Sequence, residues 1–161
     1  MTSKSKSVNR KSKSTKSNSN KNLRKTKHNR SAKSVSNDKK SHLVHVFFEM
    51  LNTVKLYHWK TKSYAQHKAT DELYERLNEN IDKFVEILLG KDESRIKMIE
   101  KRITVMDYSN VSDFKEKIYK YREFLTGLNK HFNEKKDTDL LNIRDEILGD
   151  MNQFLYLMSF N

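Results

Sequence analysis

The 161-residue chain has no cysteine, no proline and only three glycines. Without cysteine there can be no disulfide, no thiolate metal site and no sulfur nucleophile. The missing proline and scarce glycine remove the usual punctuation of sheets and irregular loops, which leaves helix as the natural reading. No apolar run approaches the roughly 18 residues that a membrane span needs, and the N-terminus lacks the apolar stretch of a secretory leader. An intracellular protein without a membrane segment is therefore expected. Acidic side chains are nearly absent from one part of the chain, and that absence sets its organisation.

Residues 1–40 contain a single acid, Asp38, against fourteen basic side chains: Lys4, Lys6, Arg10, Lys11, Lys13, Lys16, Lys21, Arg24, Lys25, Lys27, Arg30, Lys33, Lys39 and Lys40. This stretch carries +13, whereas residues 41–161 carry −1, so the +12 of the whole chain belongs to the tail. The rest of the tail is mainly Ser, Asn and Thr, with too little apolar surface to offset the entropy of ordering a backbone. Disorder is expected for residues 1–40. Diffuse positive charge suits a polyanion, because each neutralised phosphate releases condensed counterions whatever the base sequence. The fourteen cations are accordingly read as contacts to nucleic acid, without sequence preference. Nuclear targeting, a membrane-surface polybasic segment and simple solubilisation are the competing uses of such a tail.

Residues 41–161 suffice for one domain with a core. Apolar residues recur there at spacings of three and four, the stripe of a helix face. Leu43, Phe47, Met50, Val54 and Tyr57 form the first seam, and Tyr74, Leu77, Ile81, Phe84 and Leu88 the second. Phe114, Ile118, Tyr121, Leu125, Leu128 and Phe132 form the third. The fourth runs Leu140, Ile143, Ile147, then Phe154 and Leu157 beyond a break at Asp150. Helices one and two are separated only around Thr61–Lys62, with Ser63 and Gln66 reading as a capping box. Gly90 closes helix two and helix three starts near Ser112, so a long crossing joins the halves, and Ile96, Ile99 and Ile103 predict a short helix within it. Helices three and four meet across a tight link around Lys135–Asp137. Short, long, short is the connectivity of an all-α, ferritin-like four-helix bundle with one long crossover.

Helix two carries His67, Asp71, Asp82 and Glu86. At about 100° per residue they lie within an arc of about 100°, on one face. Carboxylate oxygens with imidazole nitrogen suit iron(II), manganese or zinc. The His67/Asp71 and Asp82/Glu86 pairs are separated by roughly 22 Å of helix, so one helix cannot close a single site with all four. A second copy packed antiparallel about a two-fold axis would bring one pair opposite the other and give two equivalent sites per dimer. His58, just before the short link, is placed to join the His67/Asp71 half, and Trp59 beside it reads as a packing anchor.

The series His58-Trp59, His67, Asp71, Tyr74, Asp82, Glu86 and Gly90 resembles the signature of the Dps-type mini-ferritins (DNA protection during starvation). In that signature a His-Trp precedes a His-x-x-x-Asp and an Asp-x-x-x-Glu before a glycine. The segment Asp150–Leu157 is also similar to that family's last helix. The resemblance implies an iron site between two subunits, with His58, His67 and Asp71 from one chain and Asp82 and Glu86 from the other as both ligands and ferroxidase residues. It further implies a dodecameric hollow shell, iron(II) oxidation by peroxide or oxygen, storage of ferric mineral and DNA binding through a basic tail. The location implied is DNA-associated: a nucleoid, or a virion or nucleus for a viral or eukaryotic host. The link after Trp59 is shorter than that family's usual one and lacks its glycine, and Ile87 stands where an arginine is frequent.

Taken singly, each ligand candidate reads as a solvated helical acid or a satisfied histidine. Jointly, their shared face and spacing favour a metal. His42 and His45 stand at i and i+3 close to where the tail begins and read as surface or packing residues, His131 stands alone near the end of helix three, and no serine stands in a nucleophile constellation. The alternative functional class is an architectural DNA-packaging protein of the same fold with weak or lost iron chemistry. A helical adaptor with a targeting tail is a third.

Overall fold

The computed structural model describes Met1 and residues 35–160. The chain divides into two units, Met1–Ala32 and Lys33–Asn161, and the second contains every helix described. The disorder expected of the tail, and its contacts through Lys4 to Lys33, fall on residues 2–34 and lie outside the described residues.

Four helices form: α1 (Asn37–Lys60), α2 (Tyr64–Gly90), α3 (Val111–Gly127) and α4 (Thr138–Leu157). The start of α2 is fixed by Ser63, whose Oγ accepts from the Gln66 N–H at 3.4 Å. The Gln66 side chain does not return to Ser63 as a full capping box requires. Its Oε1 accepts instead from Tyr57 Oη at 2.9 Å and Thr61 Oγ1 at 2.8 Å, which ties the link to the end of α1. Asn110 caps α3 by accepting from the Asp113 N–H at 2.8 Å. The third seam continues past the end of α3 into a 3-10 turn, Leu128–Lys130, with Phe132 still buried beyond it.

Helix α1 packs on α2, α2 on α4, and α3 on α4. Side chains close the ring between α1 and α3: Tyr57 stacks on Phe114 at 3.9 Å, Thr53 meets Tyr121 at 3.0 Å, and Lys117 pairs with Glu49 at 2.5 Å. These pairings make α1 and α3 antiparallel, so the chain runs up, down, down, up. At the centre, Phe84 meets Phe47 at 5.5 Å and Phe132 at 5.7 Å, edge to face. Every seam residue of α1 and α3 is buried, and Met151 fills the gap at the Asp150 break. Burial of each such side chain contributes about 1.5–3 kcal/mol. Asp150 itself accepts from Arg76 and Asn80 of α2, each at 3.1 Å.

The crossing departs from its expected structure. Residues 91–110 contain no helix, and Ile96, Ile99 and Ile103 do not form a helical stripe. The β-branched run Ile103-Thr104-Val105 disfavours helix, and α1 side chains supply partners that helical carbonyls would otherwise provide. The Lys97 N–H donates to Asn37 Oδ1 at 3.2 Å and the Ile99 N–H to Ser41 Oγ at 2.9 Å. The crossing is thus an extended strap along α1, pinned at its far end by the ion pair of Lys60 and Asp107.

Lys40 belongs to this anchoring and not to a polyanion-binding tail. It lies within α1, is 3% exposed, and donates to Asp92 Oδ2 at 2.5 Å and Ser94 Oγ at 2.7 Å. The folded region therefore begins ahead of the compositional boundary at residue 40. Among the described residues no helix is long and apolar enough to cross a membrane.

Candidate metal centre

The short link after Trp59 folds the end of α1 onto the start of α2. His58 and His67 stack there, ring centroids 3.9 Å apart and planes 24° from parallel. Their contacts are reciprocal: His58 Nδ1 lies 3.0 Å from the His67 carbonyl oxygen, and His67 Nδ1 lies 3.1 Å from the His58 carbonyl oxygen. A carbonyl only accepts, so both Nδ1 atoms carry hydrogen and donate. In the neutral rings the Nε2 atoms then hold the lone pairs. Backbone clamping of one ring nitrogen while the other faces outward is how protein histidines are oriented as ligands.

Asp71, one turn beyond His67, brings its carboxylate to the same place, with Oδ1 3.7 Å from His58 Nε2. Lys55 approaches the same oxygen at 3.6 Å, its ammonium also 4.6 Å from the Tyr74 ring centroid and 6.0 Å from that of Trp59. Thr70 is fully buried beneath the pair, donating to the Gln66 and His67 carbonyls at 2.8 and 3.0 Å and standing 3.3 Å from His58 Nδ1. Burial pushes the neighbouring Tyr57 phenol up, partly offset by its hydrogen bond with Thr61. Tyr57 thus stays a protonated donor to Gln66, holding the link that carries His58.

Of the five candidate ligands, one chain brings His58 into contact with both His67 and Asp71, as two pairs and not as a closed three-ligand group. Asp82 and Glu86 stay exposed on α2 and make no hydrogen bond or ion pair among the described residues. They stand roughly 22 and 28 Å along the helix from His67. No group of three or more His, Asp or Glu side chains within one chain is arranged to hold a metal ion, among the described residues. Trp59 is not a packing anchor within the chain, being 70% exposed, and Phe48, on the same face of α1, is 44% exposed. Sequence spacing missed Lys55 and Thr70. Lys55 precedes His58 by three positions and Thr70 follows His67 by three, so helical neighbourhood was the available signal.

A family of unknown function (DUF5856) matches residues 58–158. The chain belongs to that family. The DUF5856 match opens on His58 and takes in His67, Asp71, Asp82 and Glu86, while the basic tail and most of α1 lie outside it. No curated protein and no solved structure matches this DUF5856 chain.

Proposed function

We propose that this protein is a Dps-like, ferritin-like shell protein that binds iron(II) as substrate between two copies, oxidises it, stores the ferric product and holds DNA through its basic tail. The observation that carries this reading is the reciprocal clamp of His58 and His67. It brings two imidazoles together with their Nδ1 atoms engaged by backbone carbonyls, and the Asp71 carboxylate lies 3.7 Å from His58 Nε2, donor types suited to a divalent transition metal. The up-down-down-up order with one long crossover agrees with a ferritin-like bundle.

A half-site needs completion, and the two unpaired carboxylates of α2 have the right chemistry to supply it. Two copies arranged antiparallel about a two-fold axis place Asp82 and Glu86 of each against His58, His67 and Asp71 of the other. The exposed Phe48 and Trp59 would lose water in the same contact. Carboxylates neutralise the bound iron and favour its ferric state, while open positions admit the oxidant. Each of two iron(II) ions gives one electron to one peroxide, whose O–O bond breaks to hydroxide-level oxygen. No hydroxyl radical is then released beside the DNA. The tail supplies sequence-independent phosphate contacts, and many tails on one shell multiply them.

The test is anaerobic loading of the full-length protein with iron(II), then peroxide, with Glu86→Ala as the comparison at the same salt. Rapid oxidation without radical leakage, lost in Glu86→Ala, is the expected result. Absence of oxidation above buffer in the wild type would refute the ferroxidase and favour an architectural DNA-packaging role. The Lys55 ammonium held against Asp71 is the observation on the side of that second reading.

A further inference from the structure

At the opposite end of α1 from the histidine clamp, a cleft of about 500 Å³ opens between the first turns of α1 and the end of α3 with its 3-10 turn. Its volume falls within the roughly 300–1,000 Å³ of small-molecule sites. Leu43, Leu128 and Phe132 form the floor, each no more than 5% exposed, and Phe124 forms a wall. His42 stands edge-on to Phe124 with centroids 6.0 Å apart.

The rim has a different character. Lys39, His42, Lys130 and His131 surround the opening against one acid, Asp38. The Lys39 ammonium reaches His131 Nδ1 at 3.4 Å, and neither Lys39 nor Lys130 has a carboxylate partner among the described residues. Two ammonium groups that pair with no carboxylate among the described residues, set around an apolar floor, are complementary to a ligand with an apolar body and one anionic end.

We propose that this cleft binds a small amphipathic monoanion, a medium-chain or aromatic carboxylate, with its hydrocarbon on Leu43, Leu128 and Phe132 and its carboxylate between Lys39 and Lys130. Two other occupants fit less well. A nucleotide would bury the polar edges of its base against a floor that offers no hydrogen bond, which is costly. Residues 2–34 of the chain carry twelve basic side chains and no acid, so their charge opposes entry past a basic rim.

Gly127 provides a test that spares the core. It lines the cleft, and a Cβ added there meets nothing within 4 Å, so Gly127→Leu fills the space from its wall. Decanoate, decanol and decylammonium are titrated into the full-length protein, with amide shifts followed by NMR and the fold checked by circular dichroism. Decanoate is expected to shift the amides of His42, Phe124, Gly127 and Leu128 saturably, and to bind about tenfold or more tightly than decanol, as loss of one charge-assisted contact implies. Gly127→Leu should abolish this binding with the helical signal intact. Lys39→Met/Lys130→Met should reduce decanoate to the affinity of decanol. The proposal is overturned if decanoate leaves these amides unmoved at millimolar concentration, if the three ligands bind alike, or if decanoate binds Gly127→Leu as it does the wild type.

Discussion

Lys55 sits where an incoming cation would have to act, and its removal should improve metal binding. Its ammonium is 3.6 Å from Asp71 Oδ1. Two unit charges at that distance attract by about 1 kcal/mol in water and by about 5 kcal/mol at an effective dielectric constant near 20. Lys55 is 28% exposed and Asp71 36%, so solvent screening brings the pair towards the lower figure, about 1 kcal/mol. A divalent ion that takes the carboxylate must displace this partner and then face its positive charge. Lys55→Met keeps an unbranched apolar side chain of similar length and removes the charge. Affinity for cobalt(II), followed by visible absorption in competition with a chelator, should rise roughly five- to tenfold, about 1–1.4 kcal/mol. Asp71→Asn should weaken binding, and adding Lys55→Met to it should bring little further gain, because the two residues act on one another. Unchanged or weaker binding by Lys55→Met, or an equal gain in the Asp71→Asn background, would refute the assignment of Asp71 as a ligand held in check by Lys55.

Two further outcomes are expected. Removal of residues 1–34 deletes twelve cations and spares α1, so DNA retention in a gel-shift assay should be lost while iron oxidation persists; equal retention at equal salt would place the DNA contacts elsewhere. The Lys91 cluster at the end of α2 gives a pH signature. Although desolvation opposes it, the hydrogen bond from Lys91 holds Asp139 below the ordinary carboxylate range. A lowered folded pKa contributes stability above the ordinary range that is lost as pH falls through Asp139's own lower value. Lys91→Met should therefore cost about 0.2–1 kcal/mol at neutral pH, with the difference in thermal midpoint closing in strong acid; a difference that persists there would remove Asp139 as its source.

Much of the bundle was legible because its seams obey one rule. Apolar residues at spacings of three and four in a chain without proline become buried faces, and Leu43 through Tyr57 and Phe114 through Phe132 are buried as expected. The crossing was less legible, since the same spacing of Ile96, Ile99 and Ile103 yields a strap once Asn37 and Ser41 satisfy its backbone. Periodicity does not register partners supplied by a distant helix. Lys40 was misplaced for a similar reason: composition groups it with the tail, whereas Asp92 and Ser94 draw it into the fold. At the candidate site, spacing identified His67 and Asp71 as neighbours and put His58 near them. The carbonyl exchange between the two histidines depends on how the link turns, which spacing does not encode. In the proposed dimer Asp82 and Glu86 meet that half-site from a second copy, a relation that spacing along one chain does not encode.

The central claim is that each site is shared between chains, and subunit complementation tests it most directly. His67→Ala and Glu86→Ala subunits, each inactive alone in peroxide-driven iron(II) oxidation, are unfolded together and refolded as a mixture. With random pairing half the dimers are mixed, and each mixed dimer carries one site with neither substitution and one with both. Oxidation should return to about one quarter of the wild-type site content. A mixture that remains as inactive as its components would contradict the shared site.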